Sequence, residues 1–340
     1  MVVIKLATLT VFGRDHLTHS RLSSYRCCPR EHYYRYELGV RRDRTAQPLR
    51  LGAAFHVGLD LMAQGVERDE AINTATAGYD EIPQWCSGED GLTDWAVERE
   101  TVRAMLAAYH WRWAESTIKI IASEQTFDMP IINPDTGRAT PTFRLAGKID
   151  KVIRLDDGRL AVMEHKTTGV SIEPTSDYWN RLTIDQQISA YMLGARSLGH
   201  DVQTVIYDVT RKPSIAPKKL AKADQGLYGI ERETPAMFGK RLLEDMAGRT
   251  DFYFARVEIC RLESDLRDFQ AELWQMQQQI QQARNTGRWW RNAGACLMMG
   301  RCEYADVCFA GQSLGPDDQV PRGFLRGENL HPELNEEIEA

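Results

Sequence analysis

What this 340-residue chain lacks narrows what it can be. It has no G-x-x-x-x-G-K-[ST] run, so no phosphate-cradling loop is present to drive unwinding or transport with a nucleoside triphosphate. Hydrophobic runs are short. The opening stretch MVVIKLATLTVFGRD is broken by glycine and charge too early for a secretion signal or a membrane span, so a cytoplasmic protein without membrane contact is expected. Internal repeats and long low-complexity linkers are missing too, which leaves one large domain or two small ones. The seven cysteines are an odd number with no secretory signal, which argues against a disulfide framework. Nor is there an excess of positive charge. The net charge is −6, but seven acids against two arginines in residues 311–340 account for −5 of it.

The informative stretch is GKIDKVIRLDDGRLAVMEHKTT, residues 147–168. FRLAGKIDKVIRL and LAVMEHK are rich in β-branched and apolar residues, and DDGR between them supplies a turn, so the segment reads as a β-hairpin. Side chains alternate along a strand, which puts Glu164 and Lys166 on one face and His165 on the other. An isolated E-x-K of this kind is ordinarily a solvated face carrying an ion pair. Here the strand is apolar up to Glu164, so the charges are expected at the end of a buried strand, where they need partners or a metal. If Asp150 faces the same way, two carboxylates and an ammonium converge. That is the donor set for a hard divalent cation and its activated water.

Asp150 followed by Glu164 and Lys166 resembles the signature of the PD-(D/E)XK nuclease superfamily, with Ile149 in place of the proline. LRLGAAFHVGLDLM, with Gly52 and His56, resembles the G-x-x-x-H helix of its RecB-like branch, and LTIDQQISAYMLGA, with Gln187 and Tyr191, resembles that branch's Q-x-x-x-Y helix. On residue type alone His56 is an ordinary core histidine, and Gln187 and Tyr191 an ordinary helix face. The resemblance, which spans roughly residues 20–310, implies more. Asp150, Glu164, His56 and the backbone carbonyl of His165 would hold Mg2+ or Mn2+, with Lys166, Gln187 and Tyr191 completing a catalytic set that cuts DNA. It implies an exonuclease acting on DNA ends or single strands in recombination, repair or phage DNA processing. The alternative is a nuclease-fold DNA-binding or scaffolding subunit, active only beside a separate helicase or recombination protein. Glu124, in IIASEQTFDMPII, is a possible further acid.

Three cysteines crowd into CLMMGRCEYADVC near residue 300, and a metal site needs a fourth ligand, which SSYRCCPREHYYRY offers as Cys27 or Cys28. The RecB-like resemblance implies a 4Fe-4S cluster on Cys28, Cys296, Cys302 and Cys308, joining the N- and C-terminal parts. The gap of five residues between the first two C-terminal cysteines, where the familiar pattern has two, leaves structural zinc as the rival. Cys86 and Cys260 are expected as ordinary buried thiols.

Periodicity predicts helices near 17–38, 49–64, 67–82 and 92–116, then strands from about 118 to 166. Beyond these come a helix near 183–198, a strand near 202–210, a helix near 234–248, a strand near 252–260 and a long helix near 262–286. The expected fold is therefore α/β, a mixed central sheet flanked by helices with a helical N-terminal insert. Residues 1–310 would form the nuclease domain and 311–340 a mobile acidic tail. For phosphate contact the candidates are Arg211, Lys212, Lys218 and Lys219 in RKPSIAPKKLAK, with GVRRDR near residue 40. Trp289 and Trp290 read either as packing or as a stacking surface for unpaired bases.

Overall fold

The computed structural model describes residues 15–298, 301–309, 314–327, 329–331 and 334. Six strands form one mixed sheet: β1 (Asp15–Leu17), β3 (Lys119–Ile132), β4 (Ala139–Arg154), β5 (Leu160–Thr168), β6 (Val202–Arg211) and β7 (Phe254–Ile259), while β2 (Val40–Arg42) and β8 (Phe324–Arg326) pair separately. Each hairpin has a local cause. Between β3 and β4, the Asn133 side chain accepts from the Asp135 and Thr136 N–H groups and Gly137 takes a positive φ. Between β4 and β5, Asp157 accepts from the Arg159 N–H and Gly158 turns the chain at φ 88°.

β4 is the organising strand. One of its edges is paired with β3 along almost its whole length. The other edge is shared: β1 takes Phe143–Leu145 in parallel, and β5 takes Lys151 to Arg154 antiparallel. Nothing in the ladder occupies positions 146–150 on that edge. Beyond Met163, β5 pairs only with β6, in parallel, so β4 and β5 part at the level of Asp150 and Glu164.

One face of the sheet is covered by the helices Gln186–Ser197 and Glu263–Thr286, with Val152, Val162, Val205, Ile188, Met192 and Phe269 in a common core. The helix Gln47–Ala63 lies over the other face, packing with Gly88–Arg112 and Pro235–Gly248 through Phe55, Leu59, Met105, Leu106 and Leu242. Two glycines let the first layer come close. A Cβ on Gly147 would meet the Phe127 ring at 2.7 Å and one on Gly194 would meet it at 2.4 Å, so a larger residue at either position would push the helix Gln186–Ser197 off β4.

The expected α/β architecture and helical insert are present, with instructive departures. The helix expected over 17–38 breaks at Cys28, which is extended (φ −159°, ψ 111°) before Pro29, because proline's ring disfavours the helical region for the residue before it. Short helices at Asp177–Thr183 and Lys222–Tyr228 are additional. The acidic tail differs most. β8 pairs with β2, Arg326 donates to Leu38 O at 3.0 Å, and Leu314, Leu330 and His331 are buried, so this part of 311–340 is folded against the body. Its acidic composition masked a few apolar anchors and an arginine that finds backbone carbonyls. Cys86 is buried as expected, but Cys260 is exposed, since it falls just past the end of β7.

Candidate active site

Where β4 and β5 part, the strand ends turn their polar side chains toward one another. Asp150 Oδ2 accepts from the His165 backbone N–H at 2.8 Å, which bridges the two strands just beyond their last regular pair. Glu164 Oε1 accepts from Lys166 Nζ and from Gln187 Nε2, each at 2.8 Å. Lys166 also donates to Gln187 Oε1, and Gln187 Nε2 donates to the Tyr191 hydroxyl at 2.9 Å. Gln187 thus clamps the acid and the lysine together from the overlying helix. His56 reaches the same place from the opposite layer, its Nδ1 3.7 Å from Asp150 Oδ1. Gly52, one turn earlier on that helix, has room for no more than ordinary contact with Thr167.

Glu124 stands across β4 from Asp150, between the pairs Ser123↔Lys151 and Gln125↔Ile149. Its backbone is left-handed (φ 52°), a conformation uncommon for a residue with a side chain, and its carboxylate pairs with Lys148. The five catalytic candidates and His56 therefore meet where β4 and β5 part, with Glu124 on the neighbouring strand paired to Lys148.

The electrostatics follow from burial. Burial pushes Asp150 up to about 7, against the His165 N–H bond that lowers it and with Glu124 adding to the rise. Burial and then the Asp150 carboxylate push Glu164 up to about 7. Burial works against the charge on Lys166, but the Glu164 carboxylate outweighs it and the pKa lies above its ordinary value. His56 is held below its usual value, chiefly by burial. Most telling is Glu164 Oε2, which is buried without a hydrogen-bond partner among the described residues. A buried anionic oxygen left unpaired is costly and calls for a cation or a bound water.

No three His, Cys, Asp or Glu side chains among the described residues close on a single ion by themselves. For a hard cation such as Mg2+ this is compatible with the donor set, since such ions keep several waters and take only one or two protein carboxylates.

Sequence reasoning missed the support behind these groups. Asp185 caps the helix carrying Gln187, accepting from the Gln187 N–H at 2.9 Å and from the Tyr207 hydroxyl at 3.2 Å, with His19 3.4 Å away. The signal was available, as an aspartate directly before an apolar-periodic run. On the other face of β5, His165 Nδ1 lies 3.3 Å from Asp208, which also accepts from Tyr109 and Arg256. Burial and then Lys151 drive His165 down to about 3, so its imidazole is neutral.

The cysteines meet elsewhere. Cys28, Cys296, Cys302 and Cys308 all line one cavity of about 240 Å³, beside Tyr304 and Phe309. Cys28 Sγ accepts from the Asn292 N–H at 3.4 Å, while Cys27 presents its carbonyl to the Asn292 side chain at 2.8 Å. Burial pushes the Cys302 thiol up to about 11, with Glu31, Cys308 and Cys28 adding to it.

Of the basic candidates, Arg211 lies over the Phe252 ring at 4.0 Å and Lys212 Nζ donates to Pro48 O at 2.9 Å. Lys218 is exposed, and Lys219 is exposed while facing Glu231 at 3.8 Å. The GVRRDR run is occupied internally: Arg41 and Arg42 bind the carbonyls of Asn329 and Glu303, and Arg44 lies over Trp85. The tryptophan pair divides, with Trp289 buried against His32 and Tyr33 and Trp290 exposed. No described helix is long and apolar enough to cross a membrane.

No curated protein matches the sequence. A solved structure from Eubacterium rectale, named provisionally as an exonuclease, aligns over 94% of this chain and 96% of its own at 10% identity and a TM-score of 0.45. A second, titled SSO0001, aligns over 59% of this chain and 74% of its own at 13% identity and a TM-score of 0.22. Neither likeness is close enough to bear on the chemistry. The family model of the PD-(D/E)XK nuclease superfamily, however, matches residues 16–309, a span that holds every residue of the site just described. The chain belongs to the PD-(D/E)XK nuclease superfamily.

Proposed function

We propose that the protein is a divalent-metal-dependent deoxyribonuclease that acts as an exonuclease on DNA ends or single strands. The observation that carries this reading is the unpaired, buried Glu164 Oε2 beside Asp150, two carboxylates whose burial leaves them short of positive charge. Asp150 and Glu164 would hold Mg2+ or Mn2+, with His56 and the backbone carbonyl of His165 as further donors. When bound, the ion supplies Lewis acidity for the phosphodiester and lowers the pKa of water.

The chain's own groups have separable tasks. Lys166, kept protonated by Glu164, is a hydrogen-bond donor rather than a base. It orients the attacking water and offsets charge gathering on the phosphate. Gln187 fixes the ammonium by holding both it and its carboxylate partner, and Tyr191 fixes Gln187. In hydrolysis a bond forms from water oxygen to phosphorus and one ester P–O bond breaks. With no P-loop in the chain, unwinding of long duplex would come from a separate helicase or recombination protein.

A 4Fe-4S cluster on Cys28, Cys296, Cys302 and Cys308 belongs to the same proposal. The four thiols line one cavity, and four thiolates are the usual ligand set for such a cluster, with structural zinc as the rival.

The test is cleavage of end-labelled single- and double-stranded DNA by anaerobically purified protein with Mn2+, Mg2+ or chelator, beside Lys166→Ala. Metal-dependent cleavage that falls at least about 100-fold in the variant while DNA binding is kept is the expected result. Binding without cleavage in the wild type would instead point to a subunit that needs a partner.

A further inference from the structure

Past β6 the chain runs outside the sheet up to the helix Pro235–Gly248, with Ile215 packed against the core and Leu220 buried on the way. The excursion is built, not merely connected. Leu220 N–H donates to Glu231 O at 2.9 Å and Glu233 N–H to Lys218 O at 3.1 Å, making two antiparallel arms, and the helix Lys222–Tyr228 sits at their tip. Arg241 ties the base, donating to Glu233 Oε1 at 2.7 Å and to Ala216 O at 2.9 Å. The root lies beside the active site: Lys212 N–H donates at 2.6 Å to the carbonyl of Thr168, two residues beyond Lys166.

The tip helix buries none of its residues, yet it ends in Leu227 and Tyr228, 73% and 56% exposed. Two adjacent large apolar side chains on a helix with no core of its own do nothing for the fold. The charge around them says what would cover them. Residues 212–234 hold five lysines and arginines against three acids, a balance of +2 in a chain of −6. Of those acids, Glu233 is taken by Arg241, Glu231 faces Lys219 and Asp224 is exposed, as are Lys218 and Lys222. A cationic stem with an apolar, aromatic tip is the composition that tracks a phosphate backbone and stacks on bases with no complementary strand.

We propose that residues 212–234 form a single-strand-binding projection beside the active site. Tyr228 and Leu227 lie against unpaired bases, and Lys218 and Lys222 follow the phosphates. The proposal rests on the reading of the protein as a DNA nuclease and sharpens it, because a strand presented here is unpaired before it reaches Lys166.

The experiment is fluorescence anisotropy of the full chain in chelator with a single-stranded oligonucleotide, a duplex with an overhang and a blunt duplex, together with Tyr228→Ala, Tyr228→Phe and a Lys218→Ala/Lys222→Ala pair. Tyr228→Ala is expected to weaken the first two substrates about tenfold, as loss of one stacked base does, and the blunt duplex less than about twofold, with Tyr228→Phe retaining binding. The lysine pair should flatten the log–log salt slope on single strands by about 1.4, at about 0.7 for each phosphate contact. Equal losses on all three DNAs, or none, would overturn the proposal. A wild type that cleaves DNA but is indifferent to Tyr228 sinks the projection and spares the nuclease. One that binds single strands through Tyr228 but never cleaves does the reverse.

Discussion

The buried carboxylates Asp150 and Glu164 should make the metal-free protein lose stability as pH rises, and Asp150→Asn should remove Asp150's share of that loss. The pKa of Asp150 lies near 7 in the folded chain, against an ordinary value of 3.8. A carboxyl with a raised folded pKa contributes its stability below the unfolded pKa and loses it as pH climbs through the folded one. The window is therefore pH 4 to 7. Three units at 1.36 kcal/mol each amount to about 4 kcal/mol at pH 8, and less than about 2 kcal/mol at pH 5. Asparagine keeps the side-chain oxygen that accepts from the His165 N–H and discards only the charge. Urea unfolding in chelator should then give the variant a midpoint higher by on the order of 1 M at pH 8, with most of the gap gone at pH 5. His165 and Asp208 keep one charge state between pH 5 and 8 in both proteins, so the difference isolates the site. Adding Mn2+ at pH 8 should stabilise the wild type and not the variant. A variant less stable than wild type by the same amount at both pH values would refute the reasoning, since it would mean that the carboxylate is fully compensated without a metal.

Asp185→Ala removes the cap of the helix that carries Gln187, and should lower stability by about 1 kcal/mol. Cleavage should fall further than that loss explains and fall in kcat rather than KM, with Asp185→Ser recovering part of it, as single-turnover rates would reveal. Cys28→Ser should abolish the visible absorbance of anaerobically purified protein while Cys27→Ser keeps it, since Cys28 lines the cavity and Cys27 turns its carbonyl to Asn292; equal loss in both would refute the assignment.

What could be read in the sequence was what depends on short spacings. The alternation of Glu164, His165 and Lys166 and the one-turn separation of Gln187 and Tyr191 survive folding unchanged, because strand and helix geometry fix them locally. Pro29 likewise marked the break that leaves Cys28 extended, although the helical periodicity around it hid the break. The rest is tertiary. That His56 comes within reach of Asp150 depends on the unpaired edge of β4 at 146–150, which exists because β1 and β5 divide one strand between them. The folded tail depends on β2 lying free to receive β8. The left-handed backbone of Glu124 has no local cause at all, since neither a glycine nor an asparagine marks it.

The division of β5 between two faces explains how such a site can be held open. On the far face, Asp208 accepts from Tyr109 and Arg256, with the His165 ring 3.3 Å away, and its carboxyl is held far below the usual range, while His165 stays neutral down to about pH 3. That network keeps one charge state throughout the working range. On the near face the same strand carries Glu164, whose proton is gained and lost near neutrality. His165 joins the two, its side chain buried beside Asp208 below and its backbone N–H holding Asp150 above. The strand is thus anchored by groups that do not titrate, so a change in protonation or metal occupancy at Asp150 and Glu164 need not move the backbone that positions them.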